Sequence, residues 1–332
     1  MTDNVLEPGK LPADMLRRLL ASFRKDTPDL LLPPSVGEDA GVIGIGGGAL
    51  VVATDPITLT GSEIGGHAVL INANDVAVLG VRPRWFLAVF LLPVGTTETE
   101  VENIFDNMRR GLEALDVVLV GGHTEVTSAV TQPVVTGQML GFQEDGHFVK
   151  TGGVRPGDTV LQVGRAPVEG AAVVAMVRGG SLGVSPALLA EASGAMKDPG
   201  IAVVEPALRA TSLGACALHD PTEGGLSAGL HELAEASDVA LQVDAGAVLW
   251  YEPGIAICDA VGADPWGMLA SGTLLAAFSP DRVEEAANEL ALAGYDVARI
   301  AMAATGDGVR FADGQNLPRY ERDELSRILT RS

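Results

Sequence analysis

The distribution of apolar and polar positions predicts a mixture of strands and helices in the first half of the chain. Short apolar runs are typical of strands, whereas apolar residues that recur every three or four positions are typical of helices. The predicted strands are Val42–Ile45, Ala49–Thr54, Trp85–Leu92, Asp116–Val120 and Val130–Met139. The predicted helices are residues 12–25, Ile64–Leu79 and Thr96–Leu115. This order corresponds to a mixed β-α-β-β arrangement.

The second half shows the same mixture and predicts a core of its own. Its predicted strands are Thr159–Val163, Leu241–Val243, Gly272–Phe278 and Tyr295–Ala301. Its predicted helices are Glu169–Val177, Pro186–Ala195, Ile201–Leu213, residues 227–237, Tyr251–Ala260 and Asp281–Ala293. The turn-rich segment Gly146–Asp158 separates the halves. We therefore predict an α+β fold of mixed α/β character with two domains, residues 1–150 and 151–332.

Composition excludes several classes of partner. The 332 residues include 43 acidic and 22 basic side chains, a formal charge of −21. Nucleic acids and anionic membranes require positive patches, so we expect neither as a partner. The N-terminus has no signal-peptide pattern, and no uncharged apolar run is long enough to span a membrane, which predicts a cytoplasmic protein. Nucleotide binding stays open, because a metal ion can supply the positive charge that phosphates require.

The segment between residues 37 and 80 contains three aspartates in different local settings. Asp39 lies in a loop, Asp55 follows the strand Ala49–Thr54, and Asp75 lies in a helix. Carboxylates that come from separate elements can converge on one point and hold a hard cation. Asn72 precedes Asp75 by three positions and therefore shares its helix face. A polar pair in an apolar helix either caps a neighbouring element or binds a ligand, and we favour the ligand.

Four short stretches place polar side chains beside glycines. They are GEDAG at 37–41, TDP at 54–56 with AND at 73–75, GGHTE at 121–125, and HDPTEGG at 219–225. Each alone is compatible with an ordinary turn. Together they indicate loops whose backbone N–H groups approach a phosphate-bearing ligand. The triple glycine at 46–48 lacks the Lys-Ser/Thr of a P-loop and predicts a plain hairpin turn.

The order of these stretches resembles a known family. GEDAG, VVATDP, NANDVAVLGVRP, VGGHTE, RPGD and HDPTEGGL are similar to the PurM-like, or AIR synthase-related, superfamily, over about residues 10 to 300. The segment HDPTEGGLSAGLHELAEAS resembles the branch of hydrogenase maturation factors HypE more than the other branches. The resemblance implies a two-domain architecture, in which the N-terminal domain forms a dimeric barrel-like core beside a C-terminal α+β domain.

The same resemblance implies ATP and Mg²⁺ as cofactors and assigns site residues. The implied metal ligands are Asp39, Asp55, Asp75 and Asp220. The implied nucleotide contacts are Lys10, Thr54, Asn72, Gly121, Gly122, Thr124, Thr222 and Gly224, although for Lys10 taken by itself a solvated terminal lysine is the favoured interpretation. His123, Glu125 and His219 are the candidate catalytic residues. A homodimer, a small-molecule substrate and a maturation partner protein are the implied partners.

Two departures from the HypE pattern leave the acceptor open. HypE ends in a cysteine that is itself modified, whereas this chain has no cysteine after Cys258. Relatives place Asp or Glu after the glycines of GGHTE, whereas this chain has His123 and then Glu125. Either Glu125 binds the metal, or His123 binds substrate or acts as a general base, or His123 is structural.

The function predicted from these observations is ATP-dependent phosphorylation of an amide or carboxylate oxygen. Two alternatives stay open. One is a small-molecule kinase resembling thiamine-monophosphate kinase, and the other is a non-catalytic scaffold. Three retained aspartates that repel one another argue against the scaffold.

Overall fold

The computed structural model describes residue 6 and residues 9–23, 27–58 and 63–330. They form two compact units. The N-terminal unit contains Asp39–Val149 together with the short strand before it. The C-terminal unit runs from Lys150 onwards and also includes the first helix and Pro34–Glu38. The chain therefore contributes to the C-terminal unit before it builds the N-terminal one.

A six-stranded sheet forms the N-terminal unit. Its strands are β1 (Leu30–Leu32), β2 (Gly41–Ile45), β3 (Gly48–Ile57), β4 (Pro83–Pro93), β5 (Val118–Thr127) and β6 (Val134–Gln143). They follow the order β1-β2-β3-β6-β4-β5. All neighbours are antiparallel except β4 and β5, which are parallel and joined by a helix. As a result β5 is an edge strand that pairs with β4 alone.

Two helices cover this sheet, α2 (Ile64–Ala77) and α3 (Glu98–Leu115). Helix α2 is buried on almost every side, its polar residues included, and packs on α3, β3 and β6. Helix α3 starts at a capping box, in which Thr97 accepts a hydrogen bond from the Glu100 N–H and Glu100 accepts one from the Thr97 N–H. The two helices fix the position of every polar side chain on α2.

The C-terminal unit is a second six-stranded sheet with helices packed on it. Its strands are β7 (Thr159–Val163), β8 (Ala217–His219), β9 (Ala240–Val243), β10 (Leu274–Phe278), β11 (Val297–Ala304) and β12 (Val309–Phe311), in the order β12-β9-β11-β7-β10-β8. Its helices are α1 (Ala13–Ala21), α4 (Glu169–Arg178), α5 (Pro186–Gly194), α6 (Val204–Ser212), α7 (Gly225–Ser237), α8 (Glu252–Val261), α9 (Val283–Leu292) and α10 (Glu324–Leu329). Helix α7 contributes Leu226, Leu230 and Leu233 to the core.

The mixed fold in two units agrees with the sequence prediction, and three details correct it. The stretch GGHTE was expected in a loop after Val120, but it lies inside β5. Asp55 was expected after its strand, but β3 continues to Ile57. Strand β6 begins four residues later than the predicted Val130. The pattern also missed β1, β8, β12 and α10, all of them six residues long or shorter.

Among the described residues, no helix has both the length and the apolar character needed to cross a lipid bilayer.

Candidate active site

Asn72 joins helix α2 to the backbone of strand β3 at Asp55. Its side chain is fully buried. The Asn72 Oδ1 accepts a hydrogen bond from the Asp55 N–H at 2.7 Å, and the Nδ2 donates to the Asp55 carbonyl at 3.2 Å and to the Ala68 carbonyl at 2.8 Å. The carboxamide thus holds both backbone groups of Asp55, while the Asp55 residue itself is exposed. Direct contact between Asn72 and a phosphate stays a prediction.

Asp75 lies three positions after Asn72 on α2, which places it on the same helix face. Its exposed fraction is 6%, and a buried carboxylate is costly unless it is compensated. Asp55 and Asp75 are therefore carried by two elements that Asn72 links directly. Asp39 is half-buried and precedes β2 by two residues. The Thr54 hydroxyl donates to the Gly137 carbonyl at 2.8 Å, so it is already used within the sheet.

His123 and Glu125 lie on the exposed strand β5 and contact each other. The His123 Nε2 is 3.3 Å from the Glu125 Oε2. Alternate residues of a strand share a face, so this pair follows from the strand geometry. His123 and Thr124 line a cavity between β5 and α3, together with Phe105, Met108 and Leu119. The catalytic role of the pair and the nucleotide contact of Thr124 stay predictions.

The glycines of GGHTE allow β5 to approach β4. The strand register shifts at this point, which leaves Val120 as an extra residue in β5. Gly122 has a φ of +155°, and a Cβ there would lie 2.1 Å from the Ala88 carbonyl oxygen. Strand packing therefore accounts for Gly122, and the contact of Gly121 and Gly122 with phosphate stays a prediction.

In the C-terminal unit, the loop HDPTEGG connects β8 to α7 and gathers several predicted site residues. The Lys10 ammonium donates to the Thr222 hydroxyl at 3.5 Å, which brings the N-terminal segment to this loop. Asp220 is buried, with 1% of its surface exposed. The Lys10–Thr222 contact joins these two residues, and Asp220 lies two positions before Thr222 in the same loop. Their binding of nucleotide and metal stays a prediction.

His219 is held by a residue that the motif search missed. Its Nε2 is 2.8 Å from the Glu232 Oε2, and the His219 side chain is almost completely buried. Burial raises the pKa of Glu232, but the hydrogen bond and charge of His219 and the charge of Lys10 outweigh it, so the pKa lies below its ordinary value. Glu232 thus stays a carboxylate that orients the His219 ring.

Gly224 begins helix α7 in a left-handed conformation, with a φ of +83°. Its N–H donates to the Asp323 Oδ2 at 2.7 Å, and Asp323 also caps α10 by accepting from the Leu325 N–H at 2.7 Å. The backbone donor that was expected to contact phosphate is therefore bound to a carboxylate in this structure. Asp323 is 99 residues from Gly224 along the chain, so no local pattern could have indicated it.

Within the described residues, no three His, Cys, Asp or Glu side chains are arranged to hold a metal ion. The four implied ligands divide between the units, with Asp39, Asp55 and Asp75 in the N-terminal unit and Asp220 in the C-terminal unit. All four offer carboxylate oxygens, the donor type that Mg²⁺ accepts.

Comparisons with known proteins agree with this architecture. The model of the N-terminal domain of AIR synthase related proteins matches residues 37–143, and the model of their C-terminal domain matches residues 155–313. The hydrogenase expression/formation protein HupE of Azotobacter chroococcum is 30% identical and covers 85% of this chain and 87% of its own length. The chain belongs to the AIR synthase related family.

Other known proteins match almost the whole chain. The carbamoyl dehydratase HypE of Rhodobacter capsulatus is 28% identical over 94% of this chain and 95% of its own. A crystal structure of the hydrogenase maturation protein HypE in complex with ATP is 23% identical, covers 96% and 98% of the two chains, and has a TM-score of 0.70. Thiamine monophosphate kinase from Aquifex aeolicus is 18% identical, covers 91% and 97%, and has the same TM-score of 0.70. The two structures show a common fold.

Proposed function

We propose that this protein is an ATP-dependent phosphoryl-transfer enzyme that activates an amide or carboxylate oxygen of its substrate. Relatives matched over nearly the full length are named carbamoyl dehydratases, and one structural neighbour was solved with ATP. The observation that carries the proposal is the Asn72 clamp, which presents Asp55 beside the helix that bears Asp75. Two carboxylates on rigid, linked elements form a preorganised set of ligands for a cation that binds the phosphates of a nucleotide.

Mg²⁺ fits the donor chemistry of Asp39, Asp55 and Asp75, which would hold it in the N-terminal unit. Asp220 offers the same carboxylate donors in the C-terminal unit. A bound magnesium ion neutralises phosphate charge, which a chain of net charge −21 cannot do with its own surface. The Lys10 ammonium and the Thr222 hydroxyl, which already contact each other, add donors for phosphate oxygens. His219, oriented by Glu232, holds a proton at the start of the same loop.

The enzyme acts as a homodimer through strand β5. Four apolar residues of this edge strand are strongly exposed: Val118 at 58%, Leu119 at 44%, Val120 at 53% and Val126 at 57%. An exposed edge of this kind is a template for association unless another chain covers it. A second copy that pairs along β5 would bury these side chains together with the cavity beside α3. His123 and Glu125 would then lie within the dimer contact.

Calorimetric titration of the protein with Mg-ATP tests the nucleotide half of the proposal. We expect Asp55→Asn and Asp75→Asn to weaken binding roughly tenfold or more, which corresponds to about 1.4 kcal/mol. Asp106→Asn, on the exposed face of α3, is the matched control and should bind as the wild type does. Wild-type protein that binds no Mg-ATP, or unchanged binding in both variants, would contradict the assignment.

Product analysis tests the acceptor half. An enzyme of the proposed kind consumes ATP in the presence of an amide or carboxylate and converts the activated oxygen into a leaving group. A kinase that resembles thiamine-monophosphate kinase would instead release a stable phosphorylated product. ³¹P NMR of the reaction separates the two results. The maturation partner and the cytoplasmic location stay predictions.

A further inference from the structure

Three carboxyl groups from separate elements meet beside the loop HDPTEGG in the C-terminal unit. Glu169 is the first residue of α4, Glu223 belongs to the loop, and Asp323 caps α10. The Gly170 N–H donates to the Leu269 carbonyl at 3.0 Å and the Ala270 N–H to the Thr222 carbonyl at 3.3 Å, so the start of α4 lies beside the loop. At this distance the charges of Asp323 and Glu223 both act on Glu169, and Glu223 also acts on Asp323. With Ser271, described below, these residues form what we name the Glu169 cluster. Glu169 and Glu223 each keep part of their surface exposed.

The Glu169 cluster has no compensating positive charge. In the part of the chain that the structure describes, no lysine, arginine or histidine forms an ion pair with Glu169, Glu223 or Asp323. Other acids of the same unit are paired, for example Glu324 with Arg327. Burial, aided by the neighbouring carboxylates, raises the pKa of Glu169 to about 7, although the Ser271 hydroxyl opposes the rise. Burial likewise raises the pKa of Asp323 to about 6.

Ser271 adds an independent sign that a ligand binds here. Its side chain is 1% exposed, and its Oγ has no hydrogen-bond partner of acceptable geometry among the described residues. The hydroxyl is nevertheless near enough to the Glu169 carboxyl to lower its pKa. Buried hydroxyls are almost always hydrogen-bonded, because a buried hydroxyl without a partner loses its solvation and gains nothing in return. The Ser271 hydroxyl thus retains hydrogen-bonding capacity that points into the carboxyl cluster.

We infer that Glu169, Glu223 and Ser271 bind a nitrogen group that presents N–H donors, either an ammonium or the NH₂ of a primary amide. The inference rests on the proposed function in one respect: the bound group would belong to the phosphoryl acceptor. Glu169 and Glu223 accept hydrogen bonds from the N–H groups, and the Ser271 hydroxyl oxygen accepts a further one. Asp323 already accepts two backbone N–H groups, so it acts as a positioning residue that holds Gly224.

Other ligand classes fit the Glu169 cluster less well. An anion would meet three carboxyl groups and no cation, so the phosphates of a nucleotide are repelled there. Within the described residues the carboxyls are not arranged as a metal site. A ligand with N–H donors satisfies the open acceptors and the buried hydroxyl at once. Glu223 of the cluster follows Thr222, one of the two proposed phosphate contacts, which suits an acceptor that must meet the transferred phosphoryl group.

The test uses the whole protein without nucleotide and follows the Glu169 carboxyl by ¹³C NMR, assigned with Glu169→Gln. The probes are methylammonium and acetamide, and their controls without N–H groups are tetramethylammonium and N,N-dimethylacetamide. We expect a probe with N–H donors to shift the Glu169 signal saturably and its control to leave it unchanged. Ammonium binding should be about tenfold tighter at pH 8 than at pH 6, because Glu169 must ionise, whereas amide binding should vary little with pH.

Matched variants make the result decisive. Ser271→Ala should weaken the probe that binds by several-fold, and Glu169→Gln should abolish ammonium binding, as measured by calorimetry. Glu252→Gln changes the exposed first residue of α8 in the same way and should have no effect. Equal shifts by probe and control, or no shift by either probe, overturn the inference. If that happens while Mg-ATP still binds, only the acceptor site is wrong; loss of Mg-ATP binding with intact probe binding contradicts the proposed function alone.

Discussion

At the scale of single residues, one carboxamide fixes the position of Asp55, a residue of the proposed nucleotide site. Asn72 makes three hydrogen bonds, two of them to the backbone of Asp55. A side chain that both donates to and accepts from the same residue fixes that residue's distance from the helix. The position of Asp55 is therefore set by α2 rather than by β3 alone.

Asn72→Ala should destabilise the protein and weaken Mg-ATP binding together. The change leaves the Asp55 N–H and C=O without their side-chain partners, which costs about 2–4 kcal/mol for the pair. Urea unfolding measures the loss of stability, and calorimetry measures the loss of binding. Asn103→Ala, at an exposed site on α3, should change neither. A variant that retains full Mg-ATP affinity would show that the clamp does not position the site.

The raised pKa values of Glu169 and Asp323 predict that stability falls as the pH rises. The folded state binds protons on these carboxyls up to about pH 7 and about pH 6, whereas the unfolded state releases them near their ordinary pKa values of 4.5 and 3.8. Between about pH 4 and pH 7 the folded state thus binds more protons, so their contribution to the free energy of unfolding decreases with pH. Glu169→Gln should therefore gain stability relative to wild type at pH 8 compared with pH 5 in urea unfolding. An identical pH profile for both proteins would contradict the raised pKa.

Residue types and their spacing drew attention to Asp55 and Asn72, which the structure joins by hydrogen bonds, and to the HDPTEGG loop; the roles of all three in binding stay predictions. They were not enough to find Glu232 or Asp323, which lie 13 and 99 residues from their partners. The contacts of these two residues depend on how α7 and α10 pack in the folded protein. A short sequence motif contains no information about that packing. The sequence also favoured a ligand as the partner of Asn72. It could not indicate the partner that the structure shows, because the Asp55 backbone belongs to strand β3, 17 residues earlier in the chain.

At the scale of elements, helices α2 and α3 pack with almost no space between their backbones. A Cβ at Gly65 would lie 2.3 Å from the Ile104 carbonyl oxygen, whereas one at Gly66 would lie 3.3 Å from the Asn107 carbonyl oxygen. The two glycines are neighbours on the same helix, but only Gly65 is at the closest approach. The contact holds α2, and with it Asn72 and Asp75, against the rest of the unit.

Gly65→Ala and Gly66→Ala form a matched pair for this contact. Alanine favours a helix over glycine by about 1 kcal/mol, and this gain applies to both variants. At Gly65 the added methyl group forces the helices apart, at a cost of typically 1–3 kcal/mol or more. We expect a clearly lower Tm for Gly65→Ala and a Tm near that of wild type for Gly66→Ala. Equal Tm values for the two would mean that α2 and α3 adjust freely.

Element positions followed from the apolar pattern wherever an element was long and regularly patterned. Helix α3 and strand β4 are examples, and each agrees with its prediction to within two residues at either end. Strand β5 was predicted to stop at Val120 because glycines normally interrupt strands. It continues because the parallel partner β4 supplies hydrogen bonds, and because Gly122 tolerates a backbone approach that other residues would not. The pairing of β5 with β4 therefore outweighed the low preference of glycine for strands.

At the scale of the whole molecule, the exposed strand β5 makes the oligomeric state testable. Val126→Lys places a charge on the apolar edge and should convert the dimer to a monomer at micromolar concentration. Val177→Lys is the control, since Val177 is 60% exposed on α4, similar to the 57% of Val126. Light scattering coupled to size exclusion measures both masses. A wild-type protein of monomer mass, or a Val126→Lys variant that stays dimeric, would contradict the β5 interface.

The division into units gives the chain an unusual order of assembly during synthesis. Lys10 and Arg17 leave the ribosome first, yet their partners Thr222 and Glu235 follow 212 and 218 residues later. At a synthesis rate of roughly 5–20 residues per second, the surface on which α1 packs is made about 10–40 s after α1 itself. If the chain is cut at residue 150, the N-terminal fragment contains α1 without the surface on which it packs. The C-terminal fragment contains that surface without α1. We therefore expect two co-expressed fragments to fold fully only when α1 is fused to the C-terminal fragment rather than left on the N-terminal one.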